Sequence, residues 1–459
     1  MRIPSGCSKI DKSDIVDKVK GLIFGAIIGD SLGLATEGMT KNQVNDTYGN
    51  GPIQFGIEED EGVPFLRDNY RASFDENDFG GDTEQQLLVL QSIIQTGSFN
   101  YKEYAKCLQN YSENGLQGLD KKPLGISKTS QNVVAHPEFQ SNPRKAAVEV
   151  WQATNKLRGA SGALVRAALL GVPKFWDGTT VIENTTDCCR ITHPDPRCII
   201  SCVIISTLVA RILRGQDLEH EENEINNTRA ATTIVTLPPT PTDIVNGSSS
   251  AKVTGGSSSQ EQRLVNNTVT PPSSSPTPTP PTSRNYLETD ATLMKIVCGV
   301  IETNKRILTA PNTDPLFMTP ETDLEQTQSY YQQLVDTCSS FTDGPIDFGF
   351  LQLDSMILDE DNAAATATTT PKGHGPFKCL SAGLYSFTRH LPASQETEHF
   401  KHVLMDLVLE GGEADTNATV AGALMGVRLG YSRLPSEWVV GLKRWEWLED
   451  LVDEFCGLL

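Results

Sequence analysis

Glycine recurs at every fourth position from Gly21 through Gly25 and Gly29 to Gly33, and this spacing is the tightest constraint on what the chain can fold into. Residues four apart share one face of a helix, so that face carries no side chains. Glycine costs about 0.8 to 1 kcal/mol per helical position relative to alanine, so the repetition calls for a second helix packed unusually close. A matching surface lies near the other end of the chain, where Gly422 and Gly426 leave one face nearly bare in the stretch that opens with Gly411-Gly412-Glu413-Ala414-Asp415-Thr416. The two ends of the chain are therefore expected to pack together, which makes any low-complexity stretch between them an insertion and not a boundary between domains.

Helical periodicity continues through the chain and strand signals are few. The first helix is expected over Ile15 to Gly29, capped by Ser13 or Asp14, and Asp82 with Gln85 makes a capping box for a helix over 83–94. Further helices are expected over 101–113, 144–157, 161–170, Cys198 to Leu213 and within 376–407, with Pro435-Ser436-Glu437 as the capped start of the last one. Residues 40–78 read as a long loop holding a short helix. Residues 216–288 are rich in Ser, Thr, Pro and Asn and cannot bury enough apolar surface to offset chain entropy, so they are expected to be a disordered insertion. The folded domain then consists of 13–215 plus 289–459, with a smaller polar insertion at 363–375.

With 38 basic against 58 acidic residues the formal net charge is −20, which disfavours a broad electrostatic grip on nucleic acid or an anionic membrane. No run of 18 apolar residues occurs and residues 1–20 have no apolar signal region, so the expected location is cytoplasmic or nuclear, with neither nucleic acid nor membrane as partner. Ten cysteines are too few for a disulfide scaffold. Cys188, Cys189, Cys198 and Cys202 gather around His193, but the spacing fits no common zinc pattern, and Cys198 and Cys202 fall i, i+4 on an apolar helix, which reads as core packing. His399 and His402 read as helix-surface residues.

Polar residues collect where helices begin or end: Asp30 and Glu37, Asp82 and Thr83, His193 and Asp195, and Glu413, Asp415 and Thr416. Each acid taken singly is a plausible cap. An Asp-Thr pair that follows glycine and opens a helix at two remote places adds a second meaning, because hard oxygen ligands on rigid helix starts suit Mg²⁺ or Ca²⁺.

Four separated blocks resemble the ADP-ribosylglycohydrolase family, which includes the dinitrogenase reductase-activating glycohydrolases and the ADP-ribosylarginine and ADP-ribosylserine hydrolases. They are the glycine helix from Gly21 to Gly33 with Glu37, the Ser161-Gly-Ala-Leu-Val-Arg166 turn, Thr192-His-Pro-Asp-Pro-Arg197, and Gly411-Gly-Glu-Ala-Asp-Thr-Asn417. The resemblance implies an all-α, single-domain, multi-helix orthogonal bundle with two Mg²⁺ ions in a central cleft. Such ions would bind the ribose hydroxyls and orient a water for attack on the glycosidic bond between ADP-ribose and a modified protein side chain. Asp82, Glu413, Asp415 and Thr416 match metal-ligand positions, and Glu37, Asp82 and Asp415 are the implied catalytic residues. Ser161, Gly162 and His193 match positions that line the ADP-ribose groove.

One departure bears on activity. The family has Thr-Asp-Asp-Thr at its first metal block where this chain has Gly80-Gly81-Asp82-Thr83, so two of three expected oxygen ligands are missing there. Glu413 stands for an aspartate and Ser161 for an asparagine. Asp78 and Glu84 are the neighbouring acids able to fill the gap. Two readings stay open: a metal-assisted ADP-ribosyl hydrolase with two, one or no Mg²⁺, and an ADP-ribose-binding or scaffold protein with a depleted metal site.

Overall fold

The two glycine faces meet. In the computed structural model, which describes residues 2–57, 62–116, 118–119, 121–123, 126–153, 161–215, 289–309, 329–335, 375–392 and 394–459, helix Lys12–Gly33 lies antiparallel against helix Ala414–Leu429. Gly21 faces the carbonyl of Gly426, Gly25 that of Gly422 and Gly29 that of Ala418, while Gly33 abuts the backbone of Asp415. A Cβ at any of these glycines would overlap the facing backbone, so the propensity cost is met by an approach that no larger residue permits. The register of this ladder fixes the site: where Gly33 reaches Asp415, Asp30 comes alongside.

The ladder also explains why the first helix is longer than expected. It starts at Lys12 after Asp11, which makes no side-chain cap, and it runs on to Gly33. Asp30 therefore lies inside the last turn and not beyond the helix end.

Other helices are layered on this pair around one apolar core that includes Leu22, Phe24, Ile27, Leu380, Leu384, Leu424 and Met425. Helix Pro376–Phe387 is buried along its length and fits Gly383 against Val420. Among the described residues one helix, Pro196–Leu213, is long and apolar enough to cross a membrane, and 72% of it is buried inside the protein. Only two isolated β-bridges, Ile53 with Val63 and Thr289 with Arg389, occur among the described residues. The fold is all-α, a single-domain multi-helix bundle.

Several local expectations need correction. Residues 161–170 form a 3₁₀ turn, Leu164–Arg166, and one short helix turn, Ala167–Leu170, instead of a helix opening at Ser161. Helix Gly178–Arg190 was not expected; the Asp177 carboxylate starts it by accepting from the N–H groups of Thr179 and Thr180. The final segment splits into Ser436–Gly441, which has no side-chain cap, and Trp445–Cys456, because Arg444 takes a left-handed conformation at φ 63°. His399 is buried and bonds the Gln395 carbonyl at 2.8 Å, so it is not a surface residue. Residues 216–288 and 363–374 lie outside the described residues.

Candidate functional site

Three helices bring one carboxylate each to the end of the glycine ladder. Asp30 is buried in the last turn of Lys12–Gly33, and its Oδ2 accepts from the N–H groups of Gly80 and Thr83, both at 2.9 Å. It thus satisfies two otherwise orphan donors at the start of helix Gly81–Thr96 from a different element. This replaces the expected capping box: the N-cap residue is Gly80 and makes no side-chain bond, while Gln85 accepts from Arg166 Nη1 at 2.9 Å. Asp82, freed from capping, sits in the first turn, where its Oδ2 accepts from the Thr416 hydroxyl at 2.6 Å. Asp415 is not a cap either. Glu413 holds the N-cap position without a side-chain capping bond, and Asp415 accepts from the N–H of Thr416 at 2.6 Å. Asp30, Asp82 and Asp415 each offer a carboxylate oxygen, and these oxygens lie within 4.8 Å of one another.

Such crowding is unfavourable for bare carboxylates. Burial first, and then the charge of Asp415, push Asp30 up to about 7 and hold Glu37 and Asp82 well above the usual carboxylate range. Glu413 is raised for the same two reasons, and the hydroxyl of Ser161, which donates to Glu413 Oε2 at 3.2 Å, offsets part of it. Asp30 Oδ1 and Glu37 Oε2 are buried without a hydrogen-bond partner. Buried anionic oxygens without partners are costly unless a proton or cation neutralises them. All donors here are hard oxygens on helix ends, a set that fits a divalent cation such as Mg²⁺.

The backbone around Glu37 is tied to the other half of the site. Gly38 N–H donates to the Gly412 carbonyl and Gly412 N–H to that of Met39, both at 2.9 Å. Gly411 and Gly412 have φ of 71° and 70°, a region that favours glycine, and a Cβ at Gly411 would also press on the Met39 carbonyl. Arg71 holds the same turn by donating to the carbonyls of Ala35 at 2.8 Å and Glu37 at 2.5 Å. A cavity of about 360 Å³ lined by Glu37, Asp46, Asp68 and Arg71 opens next to it.

On the other side, Gly162 packs beside His193 Nε2 and Ser127 Oγ, each 3.5 Å from where a Cβ would stand. His193 is buried, its Nδ1 pairs with the Thr192 hydroxyl at 2.7 Å, and its Nε2 has no partner. Burial and the charge of Arg166 push it down to about 3, so its ring is neutral. A pocket lined by Lys128, Trp151, Thr192, His193 and Asp195 adjoins it. Asp195 caps helix Pro196–Leu213 and pairs with Arg197 at 2.6 Å.

The sequence reading missed the part played by Asp30, although a lone aspartate beside the glycine face of an apolar helix was a usable signal. It also offered Asp78 and Glu84 as replacement ligands. Both are engaged elsewhere: buried Lys121 reaches Asp78 at 3.1 Å and Glu84 at 3.3 Å, and the Tyr111 hydroxyl also donates to Glu84. Lys121 carried no sequence signal because its partners come from a different helix start.

Fold and cleft together define an all-helical protein with a candidate oxygen-ligand cation site where three helix ends converge. The chain belongs to the ADP-ribosylglycohydrolase family, whose pattern matches residues 11–263 and 302–459. It is similar to the ADP-ribosylarginine hydrolase Tri1 of Pseudomonas putida, at 21% identity over 44% of this chain and 49% of that protein. It is also similar to the ADP-ribosylarginine hydrolase Tri1 of Serratia proteamaculans, at 20% identity over 46% of this chain and 51% of that protein. An uncharacterized protein of Archaeoglobus fulgidus matches at 22% identity over 47% of this chain and 62% of its own length. The matches thus span 49% to 62% of these curated relatives. A solved structure described as an ADP-ribosylglycohydrolase-related protein complex aligns at a TM-score of 0.48 and 15% identity, covering 97% of this chain and 99% of that one.

Proposed function

We propose that this protein hydrolyses the glycosidic bond between ADP-ribose and a modified protein side chain. The observation that carries the reading is the convergence of Asp30, Asp82 and Asp415 from three helices, with Asp30 Oδ1 buried and unpartnered. Those three carboxylates, with the Thr416 hydroxyl and Glu413 beside them, would hold Mg²⁺. Bound there, Mg²⁺ supplies Lewis acidity toward ribose hydroxyls and lowers the pKa of a water.

The chain's own groups do the rest. Glu37, with Oε2 buried and unpartnered and its carboxyl held above the usual range by burial and the charge of Asp415, would be the group that passes a proton to the departing side-chain atom. Gly162, lacking a side chain, lets a diphosphate approach the backbone, and neutral His193 offers Nε2 as a hydrogen-bonding partner in the same groove. Lys128 in the adjoining pocket supplies positive charge, and Trp151 supplies a flat face for a base. Gly412 fixes Asp415 relative to Glu37 through its paired backbone bonds to Gly38 and Met39.

A second reading, binding of ADP-ribose without turnover, is favoured by Gly80 and Gly81, which remove two oxygen ligands that the family places there. The experiment is release of free ADP-ribose from an ADP-ribosylated protein with and without Mg²⁺, run beside calorimetry with ADP-ribose. Mg²⁺-dependent release supports hydrolysis. Binding without release supports the second reading, and neither signal sinks both.

A further inference from the structure

Outside the cleft three sulfurs meet. Cys189 lies in the last turn of Gly178–Arg190, and Cys198 and Cys202 lie one turn apart at the start of Pro196–Leu213. All three are buried and none is in a disulfide. Cys189 Sγ is 3.7 Å from Cys198 Sγ and 3.8 Å from Cys202 Sγ, and the three sulfurs fall within 4.8 Å of one another. A tetrahedral zinc with Zn–S near 2.3 Å separates its sulfur ligands by about 3.8 Å. The two close pairs have that separation.

Charge gives an independent reason for an anion here. Arg166 is buried, and its guanidinium donates to Gln85 Oε1, the Tyr104 hydroxyl, the Cys188 carbonyl and the Thr192 hydroxyl, all neutral acceptors. Its Nε has no hydrogen-bond partner, and among the described residues no carboxylate forms an ion pair with it. Its charge is felt at Cys189 and Cys202. An isolated buried cation is costly. Three thiolates around one Zn²⁺ carry a net charge of −1, which is the counter-charge that Arg166 lacks.

We propose that Cys189, Cys198 and Cys202 bind one Zn²⁺ as thiolates, and that the ion clamps the turn carrying Thr192 and His193. Cys189 and Cys198 flank residues 190–197, so a shared ion closes that segment at its base. In the metal-free protein the Cys189 thiol donates to the His193 carbonyl at 3.2 Å, a bond that the ion would replace as the tie on this turn. Three protein ligands leave the fourth tetrahedral position to a donor that is not cysteine. The role assigned to the ion is to hold His193 beside Gly162, with no part in hydrolysis.

The test titrates the full-length reduced protein with Cd²⁺, whose bond to thiolate gives an ultraviolet charge-transfer band that carboxylate ligands do not produce. One equivalent should saturate the band, Zn²⁺ should displace it, and Cys198→Ser and Cys202→Ser should each cut it by more than half. The wild-type titration stands even where a variant does not fold. Absence of the band, with every thiol counted as reduced after unfolding, would overturn the site in favour of simple packing. A mass two hydrogens lower in untreated protein, locating a disulfide among these cysteines, would overturn it in favour of a redox pair. Hydrogen exchange of residues 190–197 tests the clamp: it should slow at least tenfold on loading with Zn²⁺, and unchanged exchange in the loaded protein would overturn that part.

Discussion

The helix that begins at Gly81 and the helix that begins at Ala414 both present aspartate and threonine at their second and third positions, yet their first turns are completed by different parts of the chain. At Gly81 the completing group is remote, since Asp30 reaches across from another helix to accept the Gly80 and Thr83 N–H groups. At Ala414 the preceding residues do the work, with Gly411 and Gly412 in left-handed conformations and Gly412 bonded to Gly38 and Met39. The comparison recasts Gly80, one of the two glycines that looked like lost ligands. Gly80 has φ of −94°, which any residue adopts, so its need is for space: a Cβ would lie 2.8 Å from Asp30 Oδ1 and 3.1 Å from Leu34 Cδ2. An acid absent from the helix start is matched by an acid that leans over it.

The largest effect should come from removing that leaning acid. Asp30→Ala leaves two N–H groups without their acceptor and deletes one candidate ligand, so it should lower stability by about 2 to 4 kcal/mol, less whatever relief of carboxylate repulsion returns. Asp30→Asn keeps an acceptor and should melt within a few degrees of wild type while weakening Mg²⁺ at least tenfold. Calorimetry and melting curves on both variants separate cap from ligand; equal Mg²⁺ affinity in wild type and Asp30→Asn would remove Asp30 from the cation site.

Next in size is the attempt to rebuild the family motif. Gly80→Thr should destabilise by about 1 to 3 kcal/mol, because the new Cβ crowds Asp30. The loss should shrink when Asp30→Ser is added, with coupling above about 0.5 kcal/mol in a double-mutant cycle. Additive losses would mean that the two residues do not compete for the same space.

A pH series tests the electrostatics of the same contact. Asp30 is raised to about 7 in the fold against an ordinary value of 3.8, so between these values the folded state binds the extra proton. Its contribution to stability is therefore present at low pH and is lost as pH rises toward 7, by up to about 1.4 kcal/mol per unit. Without Mg²⁺ the melting temperature should fall as pH rises toward about 7 and level off above it; with Mg²⁺ the fall should flatten, since the cation favours the ionised form. Parallel curves with and without the ion would break the link between this carboxyl and cation binding. The smallest effect is expected at Ser161→Ala, which removes one hydroxyl from Glu413 and should cost about 0.5 to 1.5 kcal/mol in Mg²⁺ affinity.

Much of this architecture was legible because it rests on local periodicity. A four-residue glycine repeat can be read without knowing its partner, and the Asp-Thr pairs at 82–83 and 415–416 mark helix starts by composition alone. What escaped depends on contacts between distant segments. The first helix was expected to end at about Gly29 or Asp30, whereas packed against Ala414–Leu429 it runs to Gly33. Helix Gly178–Arg190 has a first turn of Gly, Thr and Thr that looks like a loop, and it forms because Asp177 caps it and Val181, Cys188 and Cys189 are buried. The three-sulfur cluster was dismissed on spacing, a one-dimensional measure that does not register the turn bringing Cys189 back onto Cys198.

The antiparallel glycine ladder has a consequence for how the molecule is made. A nascent chain exposes Lys12–Gly33 long before its partner Ala414–Leu429 is synthesised. Until that partner emerges the bare glycine face has nothing to close on, and long-range pairings of this kind form slowly. Asp30 and Asp415 cannot meet until the ladder zips, so the cleft arises as a closing event of biosynthesis. Emergence of Ala414–Leu429 would then set the earliest moment at which a cation could be captured there.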